Sequence, residues 1–186
     1  MARYQDFTPD GMTPAQKTVY DQIVAGPRGR IYGPFLVLMH NPGLASAVQK
    51  MGAYVRWQSQ IPERLKELAI CVIGRFWGAH VEWATHTKMA LNAGLAPEVI
   101  DAIEAQRRPD FKNDDEAAVY DFLTLLLNKK RVDDATYRRC FDVLGERGFI
   151  DLMAAITHYS TVSLTLNTFR VPAPEGYAAP AFPHGR

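Results

Sequence analysis

The sequence contains few cysteines: only Cys71 and Cys140 among 186 residues could supply a thiol. They lie far apart along the chain. Each falls in an apolar pattern typical of a helix, where a free thiol usually packs as a small hydrophobic side chain. We therefore expect no disulfide.

Long apolar runs and an excess of one charge are also lacking. No uninterrupted apolar run approaches the roughly 20 residues that span a bilayer, and the first residues lack the charged-then-apolar form of a signal peptide. The 21 Lys and Arg residues nearly balance the 20 Asp and Glu residues, giving a net charge of +1. Because the charges are interspersed, the sequence offers no basic patch for nucleic acid or an anionic membrane. We expect a cytoplasmic protein that binds neither.

What the sequence does contain is the composition of one globular domain, with 47% hydrophobic and 22% charged residues. We therefore expect a single domain over residues 1–186. Residues 1–13 are spaced by proline and glycine and predict an N-terminal arm. Residues 172–186 are rich in proline and alanine and predict an extended C-terminal tail, which packs only if a neighbouring subunit receives it.

Proline, glycine and capping residues divide the middle of the chain into helices. Proline follows a capping residue at Thr13 and Asn41, and Asn113 with Glu116 has the form of a capping box. The last apolar run exceeds ordinary strand length, so we interpret it as a helix despite its Thr and Ser content. The remaining predicted starts and stops are Pro62, Pro97 and Asp133, and Gly26, Gly78, Gly94 and Gly145.

Ionisable side chains interrupt the apolar pattern of residues 67–86. Every residue from Leu68 to Ile73 is apolar, which predicts a helix buried on all sides and places Glu67 against the core. After Gly78, Glu82 and His86 share one face of the next helix at a spacing of i and i+4. A short antiparallel hairpin would bring the three side chains together. Such a pair is also found as an ordinary core or surface pair, so the spacing alone does not establish a site.

The segment HNPGLASAVQKMGAYVRWQSQIPERLKELAICVIGRFWGAHVEWATHTKMALNAGL resembles the carboxymuconolactone decarboxylase family, which also contains the alkylhydroperoxidase D-type reductases. The resemblance extends from about Gly33 to Pro174 and includes LNTFRVPAPEG. It implies an all-α, alkylhydroperoxidase D-like helical bundle whose subunits associate as homotrimers or hexamers. In the peroxidase branch of the family, a Glu, a Cys-x-x-Cys and a His form a proton relay.

The resemblance places the relay glutamate at Glu67 and the relay histidine at His86. The two cysteine positions fall on Ala79 and Glu82. A dithiol mechanism needs an attacking and a resolving thiolate, and this chain supplies neither at these positions. Peroxide reduction at this site is therefore not expected.

The resemblance instead implies a lyase that decarboxylates a small carboxylated unsaturated lactone, or a related acid, in aromatic-compound breakdown, without a cofactor or metal. His86 is the candidate proton donor, because an unperturbed pKa of about 6.5 allows either proton-transfer role near neutrality. Glu82 would orient His86 or shuttle the proton, and Glu67 would hold the second ring nitrogen. Candidate substrate contacts are Trp83, His158, Tyr159, Arg56 and Arg75. Trp83 is equally explained by packing, His158 and Tyr159 by an ordinary core pair, and the two arginines by ion pairs between subunits.

Two other functions fit the same residues. Glu67, Glu82 and His86 form a carboxylate and imidazole set that can hold a metal ion, which would make the protein a metal-assisted hydrolase. Loss of the dithiol also permits a non-catalytic, oligomeric binding protein. A pocket in which Glu67 and His86 do not face each other would favour the binding protein.

Overall fold

A computed structural model describes residues 2–5, 7–173, 176, 180 and 182, and its regular structure is entirely helical over these residues. The predicted all-α fold is confirmed. None of the described helices is both long and apolar enough to cross a membrane. The helices are α1 (Pro14–Ala25), α2 (Phe35–Leu38), α3 (Pro42–Trp57), α4 (Glu63–Trp77), α5 (His80–Asn92), α6 (Pro97–Glu104), α7 (Asp114–Lys129) and α8 (Asp134–Phe169).

Three helices begin where their capping residues predict. The Thr13 hydroxyl accepts a hydrogen bond from the Gln16 amide, and the Gln16 side chain accepts one from the Thr13 amide, which completes a capping box. The side chain of Asn41 caps α3 by accepting from the Leu44 amide at 3.2 Å. Asp133 caps α8 in the same way.

The capping box predicted at Asn113 does not form. Asn113 precedes α7, but its side chain makes no capping bond and instead donates to the carboxylate of Glu116 at 3.0 Å. Glu116 is buried and also pairs with Arg64. A buried carboxylate is stabilised more by a cation than by a hydrogen bond from an exposed backbone amide. Glu116 therefore pairs with Arg64 and does not accept from the amide of Asn113 at the start of α7.

The other differences at helix ends are small. Pro62 is the residue before α4 rather than its first helical residue. Gly145, predicted to end a helix, has a φ of 66° and kinks α8, which then continues to Phe169. The final run is therefore helical, as its length predicts.

Helix α4 occupies the centre of the fold, packed against α5, α6, α7 and α8. All residues from Leu65 to Gly74 are buried, so the prediction of a helix enclosed on every side is confirmed. The enclosed stretch includes two charged residues. Lys66 pairs with the exposed Glu63, at 2.6 Å between the charged atoms, and donates to the Arg56 carbonyl at 2.8 Å. Glu67 is directed to α5.

The described parts of both chain ends pack on the body of the protein. The amide of Arg3 donates to the Phe169 carbonyl at 2.9 Å, and Phe7 packs against the cluster formed by α1, α2 and α3. In the tail, Phe182 is buried against His80 and Trp83 of its own chain. The expectation that the tail packs only on a neighbouring subunit is wrong for Phe182, because this aromatic ring fills a site on its own domain. Residues 174, 175, 177–179, 181 and 183–186 lie outside the described residues.

Gly78 reverses the chain between α4 and α5. Its backbone is left-handed, with φ of 62° and ψ of 34°. The Gly78 amide donates to the Arg75 carbonyl at 3.1 Å and the Ala79 amide to the Gly74 carbonyl at 2.8 Å, which closes the turn. The predicted break at Gly78 is confirmed, and it lays α5 against α4.

Replacing Gly78 should destabilise the hairpin. A Cβ atom in a left-handed conformation costs about 1–2 kcal/mol, so Gly78→Ala should lower the free energy of unfolding by about that amount. Gly78→Asn is the matched variant, since asparagine tolerates this conformation better, and it should lose less. Urea unfolding of both variants measures the difference. Equal losses would contradict a backbone origin of the effect.

Candidate active site

A histidine held between two carboxylates forms the centre of the candidate site. His86 donates from Nδ1 to Oε2 of Glu67 on α4 at 2.6 Å. On the other edge of the ring, its Nε2 lies 3.3 Å from Oε2 of Glu82, one turn earlier on α5. All three side chains are buried. We call Glu67, His86 and Glu82 the relay.

The local sequence explains this arrangement. Glu82 and His86 share one face of α5 because they are four residues apart, and the Gly78 reversal turns that face towards α4. Gly74 has no side chain, and a Cβ built there would lie 3.4 Å from the Cβ of Glu82, so the two helices approach closely. The structure therefore brings together the three side chains that the sequence analysis selected; their catalytic role stays a prediction.

The environment of His86 favours its charged form. Burial lowers its pKa, but the hydrogen bonds and charges of Glu67 and Glu82 outweigh burial and raise the pKa from 6.5 to about 9. His86 is therefore an imidazolium at neutral pH. Of the two proton-transfer roles that an unperturbed pKa allows, the raised pKa favours proton donation over proton acceptance near neutrality.

The relay does not have the geometry of a metal site. The two carboxylates lie on opposite edges of the imidazole, and each occupies one ring nitrogen. The three side chains therefore do not surround a common point at which an ion could sit. No group of three or more His, Cys, Asp or Glu side chains within the described ranges has a metal-binding arrangement.

Glu82 and His86 line a cavity of about 280 Å³, whereas Glu67 lies behind them. Apart from the relay, polar side chains come from the segment between α1 and α2, from α3, from α5 and from α8. The rest of the lining is largely apolar. The polar residues are Arg28, Arg30, Tyr32, Arg56, Thr85, His158 and Tyr159, and the others are Gly33, Pro34, Phe35, Leu36, Val81, Val162, Pro172 and Ala173.

The structure sorts the predicted substrate contacts into two groups. His158, Tyr159 and Arg56 line the cavity, as the sequence analysis proposed. Trp83 does not line it in the described structure, because its ring is buried against Phe182, with centroids 5.4 Å apart. Arg75 is also elsewhere: it donates to the Glu104 carbonyl at 2.7 Å. Trp83 and Arg75 lie on helix faces that point away from the cavity.

Sequence reasoning missed Arg28, Arg30 and Tyr32. They come from the connection PRGRIYGPF, whose glycines and prolines predict only irregular structure. A concentration of arginine and tyrosine in such a connection was the available signal, since irregular segments often carry binding residues.

Arg28 and Arg56 form no ion pair with any carboxylate of the described residues. Arg28 donates to the Gln49 side chain at 2.8 Å and lies over the Phe35 ring, 4.7 Å from its centroid. Burial, together with the charge of Arg56, lowers the pKa of Arg28. Two partly buried cations that form no direct ion pair among the described residues favour an anionic ligand in the cavity.

His158 is the second histidine of the cavity, and its chemistry differs from that of His86. Burial is the main cause that lowers its pKa to about 4; the charge of Glu82 opposes burial, and the nearby cations Arg28, Arg56 and His86 add to it. His158 is therefore neutral. Its ring packs on Gly52 of α3, where a Cβ would lie 2.7 Å from its Cε1 and Nε2 atoms.

The two cysteines are remote from this chemistry. Cys71 and Cys140 are both buried free thiols. Burial, with the charges of Glu67 and Glu82, raises the pKa of Cys71 well above its usual value, and burial raises the pKa of Cys140 to about 12. Neither thiol lines the cavity, and neither has the lowered pKa of a nucleophilic thiolate.

Comparison with known proteins gives a match to one family over part of the chain and a shared fold. Residues 42–124 match the Carboxymuconolactone decarboxylase family. A structure described as an alkylhydroperoxidase AhpD core, an uncharacterized peroxidase-related protein from Ralstonia eutropha JMP134, has a TM-score of 0.75 and 13% identity, covering 94% of this chain and 93% of that one. This similarity confirms the predicted alkylhydroperoxidase D-like fold.

Other solved structures share the fold. The debrominase Bmp8, in a Cys-to-Ala variant bound to 2,3,4-tribromopyrrole, has a TM-score of 0.72 and 16% identity, covering 94% of this chain and 95% of that one. An uncharacterized peroxidase-related protein from Silicibacter sp. TM1040 has a TM-score of 0.70 and 11% identity, covering 95% and 93%. At these identities the similarity establishes the fold alone. No protein of curated function matches the chain by sequence.

Gly52→Ala should displace His158. The added methyl group would lie 2.7 Å from the ring, and overpacking of this kind costs about 1–3 kcal/mol. The matched control is Gly43→Ala on the same helix, where the nearest neighbouring atom is 3.7 Å away. In urea unfolding, Gly52→Ala should lower the free energy of unfolding, and Gly43→Ala should leave it almost unchanged. Similar stability of the two variants would contradict the close contact.

The relay predicts a stability that falls at alkaline pH. Folding raises the pKa of His86 from 6.5 to about 9. The stabilisation that the protonated imidazole adds to the folded state is therefore fully present below pH 6.5 and is lost as the pH rises through 9. The difference in unfolding free energy between wild type and His86→Gln should therefore shrink between pH 6.5 and 9.5. Glu82→Gln retains His86 but removes one of the carboxylates that raise its pKa. In this variant the stability should therefore begin to fall at a lower pH than in wild type. A pH-independent difference would contradict the ionised relay.

Proposed function

Because residues 42–124 of this chain match the Carboxymuconolactone decarboxylase family, we propose that the protein is a cofactor-free decarboxylase acting on a small carboxylated unsaturated lactone or a related acid. The observation that carries the proposal is the buried imidazolium between two carboxylates, at the wall of a cavity that also contains Arg28 and Arg56, two partly buried arginines with no ion pair among the described residues. This arrangement combines a proton donor with a binding site for an organic anion.

The proposed reaction requires only electron delocalisation and one proton. The bond between the substrate and its carboxylate carbon breaks, carbon dioxide leaves, and the electron pair moves into the conjugated carbonyl to give a dienolate. A proton from the relay then adds to carbon and restores the lactone ring. Water later returns the proton to the relay.

The relay supports directional movement of that proton. His86 carries the proton at neutral pH, and its Nε2 faces Glu82, whose carboxylate lines the cavity. The proton would pass from Nε2 through Glu82 to the substrate carbon. Glu67 holds Nδ1 from behind, which fixes the ring and stabilises its charge. General acid catalysis of this kind contributes about 10²–10⁴-fold to a rate.

The family resemblance also explains why thiol peroxidase chemistry is not proposed. It places the two cysteine positions on Ala79 and Glu82. The relay of this chain ends on a carboxylate rather than on a thiol, and both thiols of the chain are buried elsewhere. A carboxylate can move a proton but cannot form the disulfide that a dithiol cycle requires.

The non-catalytic alternative is less well supported. It would be favoured by a pocket in which Glu67 and His86 do not face each other, whereas these side chains hydrogen-bond at 2.6 Å. Burying three ionisable groups costs stability, and a binding protein without proton transfer has no evident use for all three.

Assembly and location belong to the same proposal. Ile150, Met153 and Leu164 of α8 are exposed apolar residues, and their exposure supports association with other copies of the chain. We therefore retain the expected homotrimer or hexamer, and the cytoplasmic location, as predictions.

An ultraviolet assay of carboxylated muconolactones and related unsaturated acids tests the activity. Wild type should turn over at least one compound, and His86→Ala should reduce kcat at least 10²-fold because the proton donor is lost. His40→Ala is the matched control, since His40 is exposed and outside the cavity, and it should retain the wild-type rate. Retained activity in a folded His86→Ala protein would refute the mechanism.

A further inference from the structure

The hydroxyl group of Tyr159 lacks a hydrogen-bond partner in the part of the chain that the structure describes. Tyr159 is only 3% exposed, and its buried hydroxyl forms no hydrogen bond with any described residue. The residue nevertheless lines the cavity. A buried hydroxyl without a partner costs stability relative to a phenylalanine. A polar group kept at such a cost, at the wall of a cavity, is best explained by a partner that arrives with the ligand.

The surroundings of Tyr159 suit a hydrogen-bond donor. Its ring meets the rings of His86 and His158 edge to face, each with centroids 5.1 Å apart. Burial raises its pKa well above 10, although the nearby cations Arg56 and Arg28 act in the opposite direction. The phenol therefore keeps its proton across the physiological range, and the hydroxyl can donate to an acceptor atom of a ligand.

The charges of the cavity indicate how an acid would be oriented. A carboxylate paired with Arg28 and Arg56 is stabilised as an anion, which opposes its loss as neutral carbon dioxide. The carboxylate held by the arginines is therefore not the one that leaves. The leaving carboxylate is better placed beside Glu82, where repulsion between like charges favours its departure and the relay can replace it with a proton.

We propose that the Tyr159 hydroxyl donates a hydrogen bond to a carbonyl oxygen of the ligand, while Arg28 and Arg56 hold a carboxylate that the reaction retains. The ligand class is thus a small acid that carries a carbonyl group and a spare carboxylate. The catalytic part of this inference rests on the proposed decarboxylase function, and the binding part does not. During reaction, the electron pair of the broken bond moves onto the carbonyl oxygen, the Tyr159 hydrogen bond strengthens, and Tyr159 keeps its proton.

Tyr159→Phe removes only the hydroxyl and tests the catalytic part. Loss of one preorganised donor to a developing oxyanion lowers kcat about 10²–10³-fold. The thermal midpoint should stay equal or rise, because an unpartnered buried polar group is removed. Retention of kcat within threefold would overturn the catalytic assignment.

Tyr54→Phe provides a matched control, since the Tyr54 hydroxyl does have a partner and donates to Asp151 at 2.7 Å. This variant should lose thermal stability and retain kcat. If Tyr159→Phe lost stability in the same way, Tyr159 would be a structural residue and the proposal would fail.

Two lactones test the binding part without any turnover. Muconolactone carries a lactone carbonyl and a carboxylate, whereas crotonolactone carries the carbonyl alone. In titrations followed by NMR, Tyr159→Phe should lower the affinity for both lactones about tenfold, the effect of one lost hydrogen bond. Arg56→Met should lower the affinity for muconolactone only. Arg75→Met should change neither affinity, because Arg75 lies outside the cavity lining.

The outcomes separate the two proposals. If no acid is decarboxylated but the lactones respond as expected, the decarboxylase function fails and the subsite stands. If decarboxylation occurs but Tyr159→Phe binds and reacts normally, the subsite fails and the function stands. Failure of wild type to bind muconolactone, or weakening of muconolactone alone by Tyr159→Phe, would overturn the assignment of Tyr159 to the carbonyl oxygen.

Discussion

The hydrogen-bonded pair of Glu67 and His86 is the interaction on which the rest of the site depends. It joins the central helix α4 to α5 across 2.6 Å, inside the core. Removing one partner would leave an uncompensated buried charge, which typically costs about 3–5 kcal/mol. The Gly78 reversal and the close approach at Gly74 therefore have to hold the two helices in one register. That register in turn places Glu82 at the cavity wall.

Charged groups of both signs lie in and directly behind the cavity wall. The relay contributes two carboxylates and one imidazolium, whereas Arg28 and Arg56 contribute cations without counter-ions among the described residues. A small organic acid would be oriented by these charges before any reaction begins. Tyr159 and the neutral His158 add polar groups that carry no charge of their own. In the proposed reaction, orientation and proton supply come from the protein, while electron delocalisation comes from the substrate.

The fold itself does not choose the reaction. The chain shares an alkylhydroperoxidase D-like fold with a debrominase and with peroxidase-related proteins at 11–16% identity. Such a scaffold hosts several chemistries because function depends on a few side chains placed on it. In this chain the decisive feature is a carboxylate, Glu82, at a position that the family resemblance assigns to a cysteine. The hydrogen bonding around His86 can persist while the reactive group changes.

The sequence alone determined the helical architecture and the members of the relay. Proline and glycine mark helix ends through local backbone geometry, and a spacing of four residues places Glu82 and His86 on one helix face whatever surrounds them. Only the tertiary structure decided which other side chains reach the cavity. The ring of Trp83 packs against Phe182 and does not line the cavity. Arg28 does line it, because the path of the connection between α1 and α2 depends on packing against distant helices. The protonation state of His86 also required the structure, since it results from the balance between burial and two carboxylates whose distances no local pattern encodes.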